Sequence, residues 1–526
     1  MDTRTRQNHP HQGRVFLAIG VLGILARAAQ YLYNRSLWID EAMLALNIQR
    51  RSFGGLLGTL DNWQVAPPGF LLIVKALVAG LGDNEYVLRL LPFVAGIAAV
   101  FLFYEVGRRL LTRNGLIVAL LLFACSTWLI RYSAELKQYS SDACLALLAL
   151  LATLSWLDHP RSWPRYVLLC TVGAVAIWLS TPAVFVLAGG GTVCLVETIR
   201  HRSTGRLVGL GLVFLGWGIS LAFCYLVLQN NANIAAQRNL NHWNDAWAPL
   251  PPLSLADIAW YKAAIEKMMA QPGAFTSSPA LAIVSLLVGW AVFFKQQQRT
   301  FLLLVLPLVF ALIASGLHVY PFRDRTLVFA LPMVLLAVGE GVEHIRARLV
   351  QATMLGAVVF VLLVVLFPVV AGMKLITHPI VIEEIKPALE YLREHRRPDD
   401  TVYVYYGATK AFAYYAPRYG LGDDYIAGSW GKSHPDEPEF RLYDYIEDVV
   451  SLRGRDRVWL LFENHRGKKH KVPPEPFILC FCDMFGTRVD TFKGQTAALY
   501  LYDLSGGEVD QKLRVATPVT LPAAEP

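Results

Sequence analysis

The chain has 526 residues, of which 55% are hydrophobic and 17% charged, with a mean hydropathy of +0.41. Soluble domains carry about a quarter charged residues, so this deficit excludes an ordinary cytosolic enzyme and a disordered tail protein. The net charge is +8, from 48 Lys and Arg against 40 Asp and Glu. The basic residues fall between apolar runs and not in one patch, so the charge reads as membrane topology and nucleic acid is not an expected partner.

A membrane-crossing helix needs roughly 20 apolar residues. Candidate spans lie at 15–33, 86–107, 115–131, 140–157, 166–180, 183–198, 207–228, 279–294, 300–317, 326–343 and 351–373. The first follows a basic N-terminus as a signal peptide would, but the many later spans make it a retained anchor. The fifth and sixth are divided at Ser180-Thr181-Pro182, because one uninterrupted helix would put Arg165 and Arg200 on opposite faces.

With the N-terminus inside, the inner loops collect Arg4, Arg6 and Arg14, then Arg108, Arg109 and Arg113, then Arg161 and Arg165. Arg200, Arg202 and Arg206 follow, then Lys295 and Arg299, then Arg346 and Arg348. The positive-inside rule then predicts a multi-pass protein of the inner (plasma) membrane with about eleven transmembrane helices. Its outer segments are 34–85, 132–139, 229–278, 318–325 and 374–526.

The expected fold class is a mostly α polytopic membrane protein with a small C-terminal α/β domain outside the membrane. The membrane domain covers 1–377, the outer domain 378–505, and 506–526 is expected to be a disordered tail. VYVYY (402–406), a helix-like run to Tyr415, VWLLF (458–462) and AALYLY (497–502) read as strands alternating with helices. Tyr403, Tyr405, Tyr406, Tyr414 and Tyr415 are core or interface-belt residues.

The seven cysteines form neither a disulfide framework nor a zinc spacing. Cys125, Cys144, Cys170, Cys194 and Cys224 read as small core residues, and Cys480 and Cys482 fall on an expected strand. No transporter-like repeat, Walker A loop or dinucleotide fingerprint is present.

The first outer segment opens with Ser36-Leu37-Trp38-Ile39-Asp40-Glu41-Ala42. Two adjacent carboxylates stand just beyond the first helix, beside a tryptophan suited to the interface. A carboxylate near lipid is poorly solvated, which raises its pKa and suits it to take a proton. The competing reading makes Asp40 an N-cap of the amphipathic helix expected over 41–51. After it come Gly54-Gly55, Asn62-Trp63-Gln64, Pro67-Pro68 and an apolar run, 69–80, too short to span and expected to lie in the interface. So elaborate a segment reads as a site more than a connector.

The second cluster is Arg131-Tyr132-Ser133-Ala134-Glu135-Leu136-Lys137-Gln138-Tyr139, whose competing reading is a solvated turn with an Arg–Glu pair. Asp142, just after it, reads as a helix N-terminal charge. The third is His318-Val319-Tyr320-Pro321-Phe322-Arg323-Asp324-Arg325. Its arginines break the positive-inside trend, as do Lys75, Arg89, Arg131 and Lys137, and arginines there can hold an anionic head group. The competing reading is a surface Arg–Asp pair of little worth. In the long loop, Asn241-His242-Trp243-Asn244-Asp245-Ala246-Trp247 suits sugar stacking or an interface belt equally. Asp399-Asp400 and Asp423-Asp424 read as turns.

Trp38-Ile39-Asp40-Glu41-Ala42, Ala66-Pro67-Pro68 and Leu88-Arg89-Leu90-Leu91-Pro92 running to Gly107-Arg108 resemble the GT-C superfamily of glycosyltransferases. The group resembled is the family 39-like one, of protein mannosyltransferase and aminoarabinose transferase type. Tyr132 to Tyr139 is similar to that group's second outer motif and Arg323 to Pro332 to its later arginine-to-proline segment, so the resemblance covers about 15–345. It implies a multispanning enzyme using a polyprenyl-phosphate sugar at the outer leaflet. On that resemblance Asp40 is the catalytic base, and Glu41 its neighbour in acceptor or metal positioning. Glu135 and Lys137 fall in the second motif, though Glu-Leu-Lys stands here where relatives often have Glu-Ala-Arg. The outer domain is similar to those that cap such enzymes.

A polyprenyl-phosphate leaving group requires cations for its phosphate and a carboxylate for the acceptor hydroxyl, and no nucleotide. The expectation is therefore inverting displacement, with Asp40 as base and Lys137, Arg323 and Arg325 on the donor phosphate. Glu135, Tyr132, Tyr139, His318 and Trp63 are candidate substrate contacts. The sequence establishes no cofactor, and a divalent metal is left open. The acceptor is a glycan, lipid or protein, with polysaccharide or lipopolysaccharide favoured because no peptide-binding module is evident. The rival functions are a lipid-linked sugar transporter or flippase, and a non-catalytic envelope assembly subunit. The clustering of polar residues on one face favours the enzyme over the first, and the Asp-Glu segment favours it over the second.

Overall fold

The computed structural model describes residues 10–229, 245–422, 424–429, 441–463 and 473–506. Arg4, Arg6, Asn241–Asn244, Asp423 and the expected tail from residue 507 on lie outside the described residues. The chain divides into two compact units: Met1–Asn34 with Asn47–Ile380, and Arg35–Leu46 with Val381–Pro526.

The first unit is helical. Its elements are α1 (Pro10–Leu32), the end of α2 (Ile39–Arg50), α3 (Pro68–Leu81), α4 (Glu85–Leu110), α5 (Arg113–Ala124), α6 (Thr127–Tyr132) and α7 (Tyr139–Asp158). There follow α8 (Trp163–Leu179), α9 (Ala183–Arg200), α10 (Thr204–Leu228), α11 (Leu255–Ala270), α12 (Pro279–Gln296) and α13 (Gln298–Gly316). A 3-10 turn, Asp324–Ala330, leads into α14 (Leu331–Ala352), and α15 (Met354–Thr377) ends the unit.

Nine of these helices, among the described residues, are long and apolar enough to cross a membrane, and the protein is an integral membrane protein. The other two expected spans are shorter helices. The run 115–131 breaks after Ala124, and α6 restarts at Thr127 with the Ser126 hydroxyl accepting from Leu129 N–H. The run 166–180 becomes α8, and the expected break at Ser180-Thr181-Pro182 separates it from α9. The short run after Pro67 is α3, with Pro68 at its first turn, where a missing N–H costs no bond.

Most of the apolar stretch of α7 is buried, 78%, and of the 324–352 segment 89%, against 22% for α10 and α15. The first two are therefore central and the last two peripheral. α12 and α14 meet backbone to backbone, for a Cβ on Gly341 would stand 1.7 Å from the Ser285 carbonyl oxygen.

The second unit carries residues 35–46 and a sheet of β1 (Thr401–Val404), β2 (Ile426–Ala427), β3 (Val458–Phe462), β4 (Thr487–Lys493) and β5 (Ala498–Asp503). The strand order is β2-β1-β3-β5-β4. β2, β1 and β3 are parallel, β5 adds antiparallel to β3, and β4 antiparallel to β5. The unbroken apolar run of β3 follows from its burial at every position. Asp400 follows the turn at Asp399 and binds Arg457 at 2.7 Å and Trp459 Nε1 at 2.8 Å, which ties β1 to β3. Tyr403, Tyr405, Tyr414 and Tyr415 are buried in this unit.

The helices here are α16 (Lys386–His395), α17 (Thr409–Tyr415), α18 (Arg441–Ser451) and α19 (Pro474–Phe485). Cys480 and Cys482 lie on α19 and not on a strand. Pro474 starts a helix there, and Ile478, Cys482 and Phe485 recur at helical spacing on its buried side. All seven cysteines are free thiols.

Candidate functional site

Around Asp40, in the second unit, the chain from Arg35 to Ile39 is held by hydrogen bonds from side chains distant in sequence. Glu384 accepts from Ser36 N–H at 2.9 Å and from the Ser36 hydroxyl at 2.6 Å. The Ser36 oxygen accepts in turn from Ile385 N–H at 3.2 Å and Lys386 N–H at 3.4 Å, where α16 begins. Leu37 N–H donates to the Tyr415 hydroxyl at 2.9 Å, and Ile39 N–H donates to Glu383 at 2.8 Å. The first N–H groups of a helix have no partner within it, and Glu383 supplies one for α2.

α2 begins at Ile39, so Asp40 is in its first turn and is not its N-cap. Asp40 is half-buried, while Glu41 is fully buried and pairs with buried Arg35 at 2.7 Å. A carboxylate buried without its cation is costly, so this pair fixes the Glu41 charge and its rotamer. Burial pushes the Glu383 carboxyl up to about 8, Asp40 and Glu41 push the same way, and Arg35 opposes them. Burial also pushes fully buried Glu463 well above the carboxylate range, with Glu383 and Glu384 adding to the effect.

In the first unit, buried Lys137 donates to Gln64 at 2.8 Å, joining the second cluster to the 62–64 segment. Arg131 pairs with buried Glu135 at 3.0 Å, and the segment is mostly buried, against the competing reading of a solvated turn. The Tyr132 and Tyr139 rings meet at 4.8 Å, and the Arg325 guanidinium lies over Tyr139 at 5.9 Å. Lys137, Glu135, Tyr132, Tyr139 and Arg325 thus share one neighbourhood. Arg323 has a different setting, bound to Asp245 and, at 2.7 Å, to Asp324. Lys267 reaches Asp245 at 3.1 Å beside it. His318 is exposed with its ring 5.1 Å from Trp247, and Trp63 is exposed beside Asn62, both in left-handed backbone. Asp142 is buried in the first turn of α7.

Arg35, Glu383, Glu384, Tyr415 and Gln64 are not singled out by sequence as site residues. Adjacent acids at 383–384 were the available signal, but no motif surrounds them. Of the two adjacent carboxylates that could hold a divalent metal, Glu41 is paired with the Arg35 guanidinium. No group of three or more His, Cys, Asp or Glu among the described residues is placed to hold one.

The chain combines a membrane-spanning helical unit with a small mixed α/β domain that also carries the Asp-Glu segment, and it is similar in fold to glycosyltransferases of the GT-C superfamily. Residues 65–227 match the family of Dolichyl-phosphate-mannose-protein mannosyltransferase, a stretch that includes Lys137 and begins after Asp40. ArnT from Cupriavidus metallidurans in the apo state is similar with a TM-score of 0.54 at 14% identity, over 94% of this chain and 98% of that one. Its form bound to undecaprenyl phosphate is similar at 0.53 and 13%, over 92% and 97%. The apo Archaeoglobus fulgidus oligosaccharyltransferase follows at 0.51 and 11%, over 93% of this chain and 74% of that one. At these identities the likeness is one of fold. No curated protein matches the sequence.

Proposed function

We propose that this protein moves a sugar from a polyprenyl-phosphate donor to an acceptor hydroxyl at the outer face of the bacterial inner membrane, with inversion at the anomeric carbon. The observation that carries the reading is Asp40, half-buried in the first turn of α2, its loop held from behind by Glu383, Glu384 and Tyr415. Asp40 takes the proton of the acceptor hydroxyl as its oxygen bonds to the anomeric carbon. The bond from that carbon to the phosphate oxygen breaks, and the polyprenyl phosphate leaves with the electron pair. Lys137 and Arg325 hold that phosphate, with Arg323 as a third cation. Glu41, neutralised by Arg35, positions the acceptor beside Asp40. Glu135, Tyr132, Tyr139, His318 and Trp63 contact the substrates. The similarity to ArnT, whose structure includes one bound to undecaprenyl phosphate, supports this donor class.

The test is native mass spectrometry of co-purifying lipids, with transfer assays, on the wild type and Asp40→Asn. The expected result is a folded variant without transfer that accumulates a polyprenyl-phosphate-sugar mass. Full turnover in the variant overturns the assignment of the base. Bulk phospholipid alone in both proteins, with no binding of added donor lipids, overturns the enzyme reading.

A further inference from the structure

α7 is 20 residues long, about 30 Å of helix, so the loop after Asp158 lies far from Tyr139. There a cleft of about 350 Å³ opens between the starts of α8 and α10. Arg161, Trp163 and Tyr166 line one side, and Ser203, Arg206 and Gly209 the other.

The shape follows from close packing. The Tyr166 ring lies against Gly209, where a Cβ would come within 2.6 Å of it, and the Tyr166 hydroxyl donates to Pro160 O at 2.8 Å. The cleft is cationic because the nearby carboxylates are engaged elsewhere. Asp158 pairs with Arg109 at 3.4 Å, and Glu197 with Arg299 at 2.6 Å and His201 at 2.8 Å. Among the described residues neither Arg161 nor Arg206 has a carboxylate partner, and the buried Arg206 Nε has no hydrogen-bond partner. Beyond the cations the walls are apolar and open. Val208 and Leu212 of α10 are 61% and 51% exposed, and Val167 and Trp163 of α8 are 49% and 60% exposed.

We infer that this cleft binds an anionic glycerophospholipid, its phosphodiester between Arg161 and Arg206 and its acyl chains along α8 and α10. Guanidinium forks match phosphate oxygens, and basic pockets between membrane helices suit anionic head groups. A free phosphate would satisfy the arginines but leave the apolar walls unused. The inference is independent of the transfer chemistry.

The experiment compares phosphatidylglycerol with phosphatidylcholine by native mass spectrometry, on the full chain and on Arg161→Ala/Arg206→Ala. The wild type is expected to retain phosphatidylglycerol roughly tenfold better than phosphatidylcholine, and the double variant to lose that preference. An equal affinity in the wild type, or an unchanged preference in the variant, overturns the site. Inorganic phosphate at millimolar concentration is expected to leave the wild-type melting temperature unmoved. Stabilisation by phosphate equal to that by phosphatidylglycerol overturns the lipid assignment. Photoactivatable phosphatidylglycerol on the wild type keeps the test open should the variant not fold. Labelling within 159–168 and 203–212 supports the site, and labelling confined to other segments overturns it.

Discussion

Glu383 accepts a hydrogen bond at 2.8 Å from the backbone N–H of Ile39, the residue immediately before Asp40. The proposed base is thus oriented by a side chain more than three hundred residues away in sequence. Glu384 and Tyr415 grip Ser36 and Leu37, so three side chains hold three of the four residues from Ser36 to Ile39.

Glu383→Ala leaves that N–H without its partner at a partly buried helix start. The expected cost is about 1–3 kcal/mol of stability and a fall in kcat larger than the rise in KM. Glu383→Gln keeps an accepting oxygen and mimics the protonated acid, so kcat at neutral pH is expected to stay within a few-fold of wild type. Steady-state kinetics with thermal melts check both. Equal kcat in the Ala variant and the wild type would show that the hydrogen bond does not orient the base.

The stability of the same unit depends on pH in a defined direction. Burial raises the Glu383 carboxyl from its ordinary value of 4.5 to about 8, and raises Glu463 as well. The native state therefore binds more protons than the unfolded chain between those limits. Stability is highest below the unfolded value and falls as pH rises through the folded one. Denaturant unfolding across that window is expected to lose stability with pH, and Glu463→Gln to flatten the loss. Stability rising over the same window would contradict burial as the cause.

Arg35 and Glu41 are 1% and 0% exposed at 2.7 Å. Arg35→Met alone strands a buried carboxylate, with an expected cost of about 3–5 kcal/mol. The double change Arg35→Met/Glu41→Leu removes both charges and is expected to recover most of that stability. Melting temperatures of these two variants and of Glu41→Leu complete the cycle, and additivity of the two single losses would deny the pair any coupling.

The cations of the first unit differ in how deeply they are buried. Lys137 is buried and donates to Gln64, whereas Arg323 is about a third exposed and binds both Asp245 and Asp324, and a cation acts more strongly where water is excluded. Lys137→Met is therefore expected to lower kcat/KM by about 10²-fold, and Arg323→Met by much less. Transfer assays at matched donor concentration decide it, and the reverse order would move the phosphate to Arg323.

Long apolar runs were legible in the sequence because length and hydropathy are local properties. α1, α4, α7 and α15 follow from them directly, as does the break between α8 and α9 at Thr181-Pro182. Asp40 and Glu41 were visible because they stand together at the end of such a run. The interruption between α5 and α6 was not, since an apolar stretch of that length fits one helix as well as two. Cys480 and Cys482 fall in a short apolar run whose periodicity does not separate strand from helix; contact of α19 with its neighbours decided it. Arg35's role, and those of Glu383, Glu384 and Tyr415, arise from tertiary structure alone. A hydrogen bond between residues 344 apart leaves no pattern in either local segment, because the chain brings the two ends together only when the second unit folds.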